Sequence, residues 1–159
     1  MIRQDDEIAT AEPMSEDARV DFQALVGLMI PASLEYDIPG ADDPGIFERI
    51  VVASEPDRSL VDEGLRALDD LSHALYGERF AMLDEDDKVA TAERFAQTRV
   101  PHVSGIVRVT AQCYYSDERV MAALGMENRA PFPMGYTVEQ GDWSLLDPVK
   151  KRTKFYRKA

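Results

Sequence analysis

The chain has 159 residues, 45% hydrophobic and 30% charged, which suits one globular domain with a sizeable core and leaves no room for a second independent one. Thirty Asp and Glu against eighteen Lys and Arg give a net charge of −12, a surface that repels phosphate backbones and anionic headgroups and excludes nucleic acid as a first choice of partner. The single cysteine, Cys113, excludes an internal disulfide and a four-thiolate zinc site, and the longest apolar run, residues 24–31, falls far short of the about 20 residues that cross a bilayer.

Residues 1–14 are acidic and aperiodic and contain Pro13, the pattern of a mobile arm. The stretch MIRQDDEIATAEPMSED has one arginine against six acids and no apolar segment, so it reads as neither a secretory nor a twin-arginine signal. The expectation is a cytoplasmic chain by default, or a periplasmic one if it is processed or exported with a partner. A helical domain is expected over residues 15–130. Ser15 is a candidate N-cap, and Phe22, Leu25, Val26 and Met29 share one helical face that ends at Pro31. LEYDIPGADDPG reads as a loop, after which Asp43-Pro44 opens a helix to Ala53 carrying Ile46, Phe47, Ile50 and Val51. A longer helix is expected from near Pro56, with a stripe of Leu60, Val61, Leu65, Leu68, Leu71 and Leu75 and with Gly77 just past its end.

Asp84 then caps EDDKVATAERFAQ, whose expected buried face is Val89, Ala92, Phe95 and Ala96. Pro101 to Tyr115 is rich in β-branched residues, so propensity leaves strand and helix open; helix is favoured because no alternating partner strand exists elsewhere. Asp117 to Leu124 is a short capped helix closed by Gly125, and beyond Pro131 periodicity is lost. The fold class expected is all-α, a single compact domain of about five to six helices with an irregular, aromatic and basic strap over residues 131–159.

Few titratable groups converge. Asp70 and His73 stand one helical turn apart, half of a carboxylate-bridged metal site that would need a second such pair. A helical metalloenzyme using His73 and His102 is the weakest of three readings. Residues 37–48 have acids at both ends like a calcium loop, but Pro39 and Ala41 stand at ligand positions and Asp42 replaces the required glycine. Asp84 to Asp87 reads as a helix N-terminus and Cys113 as a buried, inert thiol. No Gly-rich phosphate loop or GxSxG elbow is present, so flavin, nucleotide and acyl-transfer chemistry have no seat in the chain. No catalytic, cofactor-binding or metal residue is assigned.

Three stretches, in order, resemble the gluconate 2-dehydrogenase subunit 3 family, the small gamma-type subunits of membrane-linked sugar and polyol dehydrogenases. They are IPASLEYDIPGADDPGIFERI, LYGERFAMLDEDDK and TAQCYYSDERVMAALGMENRAPFPMGY, the last with paired tyrosines before Ser-Asp, a Leu-Gly and a terminal Pro-x-Gly-Tyr. The resemblance implies a helical accessory subunit without a redox cofactor, partnered by a large FAD-containing subunit of the glucose-methanol-choline type that often passes electrons to a cytochrome c subunit. Two departures are Cys113, where the family pattern has glycine, and the missing twin-arginine leader.

The strap holds five of the thirteen aromatic residues, and Lys150, Lys151, Arg152, Lys154, Arg157 and Lys158 leave −18 on the first 149 residues. Aromatic rings bury large area at low entropic cost, and the cations can pair with acids opposite. The expected partner interface comprises Tyr114, Tyr115, Phe132, Pro133, Gly135, Tyr136, Trp143, Lys150, Lys151 and Arg152, with Tyr114 and Tyr115 open to either a packing or an interface role. The alternative to an accessory subunit is a stand-alone helical ligand-binding or regulatory module whose tail folds onto its own core.

Overall fold

The computed structural model describes residues 13–98, 101–129, 132–136 and 140–153. The chain divides into two compact units, Met1–Asn128 and Arg129–Ala159. Of the arm expected over residues 1–14, all but Pro13 and Met14 lies outside the described residues.

The first unit is all-α, and four of the helices among its described residues begin where a side chain takes up free backbone N–H groups. Helix α1, Glu16–Met29, starts with the Ser15 hydroxyl accepting from Ala18 N at 3.2 Å. Helix α2, Pro44–Ala53, starts with the Asp43 carboxylate accepting from Gly45 N at 3.0 Å and Ile46 N at 3.3 Å, and Pro44 brings a pre-set φ. Pro56 falls in a 3₁₀ turn, Glu55–Asp57, so helix α3, Arg58–Tyr76, begins two residues later than the proline spacing implies. It ends at Gly77, whose φ of 77° is the left-handed stop. Helix α4, Glu85–Gln97, is capped by Asp84 accepting from Asp87 N at 2.9 Å. Helix α5 is Pro101–Tyr114, and helix α6, Glu118–Ala123, is capped by Asp117 and followed by Gly125 at φ 69°.

Helix α3 is the central element: it packs most extensively on α5 and also on α1 and α4, while α2 closes over α5. Phe22, Val26, Ile46, Ile50, Val61, Leu68, Ile106 and Val120 fill the core, with the Phe22 and Phe47 rings edge to face at 5.7 Å. The α3–α5 seam is close because it is built on glycines: a Cβ on Gly64 would lie 2.9 Å from Ile106 Cδ1, and one on Gly105 would lie 2.9 Å from Leu60 Cδ2. The expected α3 stripe is buried at Val61, Leu65 and Leu68 and fades to an exposed Leu75.

The face expected for α4 needs correction. Val89 and Ala96 are exposed, and Thr91 is buried beside Phe95. Thr91 can turn inward because its hydroxyl donates to Asp87 O at 2.7 Å, so the polar atom enters the core already satisfied.

The loop between α1 and α2 is tightly made. Ser33 and Ile38 form an isolated antiparallel bridge, with Ser33 N donating to Ile38 O at 2.9 Å and Ile38 N to Ser33 O at 3.0 Å, and Asp37 takes the left-handed conformation at φ 52°. Gly40 then passes so close to the end of α1 that a Cβ there would sit 2.9 Å from Ala32 N.

In the second unit, the expectation of an aperiodic strap is also corrected in part. A 3₁₀ turn, Trp143–Leu146, runs into a single-turn helix α7, Asp147–Lys150. Asp142 accepts from Ser144 N at 2.9 Å to start the turn, and Pro148 pre-sets φ in α7. Among the described residues no helix is long and apolar enough to cross a membrane.

Candidate functional site

The residues expected at an interface separate into distinct environments. Tyr114 is only 5% exposed, its hydroxyl donates to Pro39 O at 3.1 Å, and its phenol is held above its ordinary pKa by burial first and then by Tyr115 and Asp117. It therefore fastens the end of α5 to the α1–α2 loop. Tyr115, its ring edge-on to Tyr114 at 5.1 Å, is 57% exposed.

Within the second unit, Arg129 organises a small turn. Its guanidinium donates to Gly135 O at 2.6 Å and lies 5.0 Å over the Tyr136 ring, and the Tyr136 hydroxyl donates back to Arg129 O. Gly135 has φ 67°, and the Phe132-Pro133 peptide bond is cis. Phe132, Met134 and Trp143 are exposed, Lys150 pairs with Asp147 at 3.1 Å, and Lys151 and Arg152 are exposed. The remaining basic residues of the strap, Lys154, Arg157 and Lys158, lie outside the described residues, as do Phe155 and Tyr156.

A charged clamp that sequence reasoning missed sits beside the α1–α2 loop. Arg119 donates to both carboxylate oxygens of Asp43, at 2.8 and 3.1 Å, and through Nε to Asp117 at 3.0 Å; Arg49 meets the other Asp117 oxygen at 2.6 Å. The same two aspartates cap α2 and α6, so one arginine ties together helix starts that are 74 residues apart in sequence. The Arg119 hydrogen bonds hold both carboxyls below the usual carboxylate range, against the opposing effect of burial. Their stabilising contribution is therefore complete above the unfolded pKa of about 4 and is lost as pH falls through the lower native values. Urea midpoints should drop below about pH 4, and Asp43→Asn with Asp117→Asn should remove part of that drop, since Asn still caps a helix. An unchanged pH slope in the double variant would contradict the assignment.

Clefts open on the first unit. One, of about 570 Å³, is lined by Asp17 and Asp21 from α1 and by Asp62, Asp69, Asp70 and His73 from α3. His73 faces Asp69 rather than the expected Asp70: Nδ1 is 3.0 Å from Asp69 O and 3.5 Å from its carboxylate. His102 is placed elsewhere, stacked on Phe95 at 6.0 Å and beside Gly64, nine residues from His73 and so about 13 Å away along α3. The structure does not bring the two histidines together, and no group of metal-ligating residues forms among the described residues. Cys113 is partly buried, its thiol raised in pKa by burial, with Sγ 3.6 Å from Arg49 O.

The second cleft is a mainly apolar groove of about 660 Å³ between the α1–α2 loop, with Ala32, Leu34, Tyr36, Asp37 and Pro39, and the Arg119, Ala122 and Ala123 side of α6. Nothing in hydrophobic periodicity marks it, because Leu34 and Tyr36 belong to a turn. The only sequence signal was two large apolar residues in a Pro- and Gly-rich loop.

As a class, the first unit is an all-α domain with six α-helices among its described residues, the caps of α2 and α6 being joined by ion pairs. Residues 17–133 match the family described as Gluconate 2-dehydrogenase subunit 3, and the chain belongs to that family. Comparison with curated proteins and with solved structures returns no match.

Proposed function

We propose that the chain is a non-catalytic accessory subunit of an FAD-dependent sugar or polyol dehydrogenase of the glucose-methanol-choline type. It binds, stabilises and escorts the larger flavoprotein, which carries the flavin and the catalytic groups and hands electrons onward to a cytochrome c subunit. The family match over residues 17–133 carries this reading. Two further observations support it: the charged clamp of Arg119 is spent on holding helix starts together, and large apolar side chains such as Leu34, Tyr115 and Trp143 stand exposed.

Co-expression with a large FAD-dependent dehydrogenase subunit from the same source should yield a stable complex of the two chains. A chain that stays monodisperse beside the flavoprotein, or that alone oxidises a sugar with an artificial acceptor, would overturn the proposal. The 570 Å³ cleft favours a second reading, a helical module that binds a small ligand. Deleting residues 137–159 separates the two. An accessory subunit loses complex formation but keeps its helicity, whereas a module that includes those residues in its fold melts.

A further inference from the structure

We infer that the apolar groove between the α1–α2 loop and α6 is the seat for an apolar segment of the large subunit flanked by Lys or Arg. This inference rests on the accessory-subunit reading and names a gripping surface on the first unit that acts in addition to the strap. Leu34 is 99% exposed and Tyr36 is 64% exposed, yet their turn is stiff, being closed by the Ser33–Ile38 bridge, the left-handed Asp37 and the Tyr114 hydroxyl on Pro39 O. Large apolar side chains held out on a rigid turn lose little conformational entropy when covered. Opposite them, the small Ala122 and Ala123 leave space for an incoming side chain.

Charge selects the occupant. The charged lining residues are Asp37 and Arg119. Arg119 is engaged by Asp43 and Asp117, and Arg49 also pairs with Asp117, so that cluster is neutral. Asp37, together with the exposed Glu35 between Leu34 and Tyr36 and the exposed Glu118 next to Arg119 in sequence, pairs with no cation among the described residues. The rim is thus negative, and the first 149 residues carry −18, so a second copy would bring like charge against like. A partner segment presenting an apolar side chain between basic residues meets both the groove and its rim.

The test is co-purification of the full chain with the co-expressed large subunit. Leu34→Asp combined with Tyr36→Asp should lower recovery of the large subunit at least tenfold, while Val89→Asp, an exposed apolar position on α4, should leave it within twofold. Unchanged circular dichroism of the isolated double variant excludes misfolding as the cause. If wild type co-purifies and the double variant does so equally well, the groove assignment falls and the accessory reading stands. If wild type does not co-purify, both fall. Light scattering of the chain alone also bears on the assignment: a dimer that the double variant dissolves would make the occupant a second copy. So does tryptic digestion: faster cleavage after residue 150 in the double variant would make it the chain's own basic end. Either result would overturn the proposal.

Discussion

Phe22→Ala is expected to destabilise the chain by about 3–5 kcal/mol, a large share of the total for a domain of this size. Phe22 is fully buried and sets its ring against Phe47, so it joins α1 to α2 from inside the core. Truncation removes the ring's burial and leaves a void that helices tied at both ends close poorly. Urea unfolding followed by circular dichroism measures the loss. Phe132→Ala, which removes the same ring from an exposed position, should move the midpoint by less than about 0.5 kcal/mol. Equal effects at the two positions would mean that Phe22 does not anchor the core.

Asp21→Ala is expected to cost about 2–3 kcal/mol even though it removes a charge from the apolar side of a helix. Asp21 is 4% exposed, and its two oxygens accept from Arg79 at 2.8 Å and from Ala81 N at 2.9 Å. It fixes α1 to the short 3₁₀ turn Phe80–Met82, whose Phe80 enters the core. Without the carboxylate, Ala81 N loses its acceptor and Arg79 keeps only the exposed Asp17. Asp17→Ala should cost under about 1 kcal/mol, as exposed pairs do. A cost for Asp21→Ala no greater than that for Asp17→Ala would refute the anchoring role.

These two neighbours on α1 show what could be read from the chain. Phe22 was legible because its spacing to Leu25, Val26 and Met29 is a property of one helix, and the caps at Ser15, Asp43, Asp84 and Asp117 were legible because an N-cap acts on N–H groups two or three residues away. Asp21 was not, because its burial depends on an arginine 58 residues later. Thr91 was passed over for the same kind of reason: the expected α4 face used apolar residues only, and a hydroxyl satisfied within its own helix packs as well as they do. The α5 helix emerged despite its β-branched content because α2 and α3 supply the surface its valines and isoleucine need. In the strap, the turn from Trp143 through Lys150 is too short for any period to register. The groove was illegible for a related reason, since its two walls meet only when the loop is folded against α6.

The glycine seam reaches beyond the core. Gly105 lies near the start of α5 and Tyr114 at its end, about 13 Å further along the axis. One end of α5 is thus seated on α3 through close glycine contacts, and its other end holds Pro39 through the Tyr114 hydroxyl. The loop wall of the groove is therefore carried by a helix that also closes the core, through a tyrosine that does not itself line the groove.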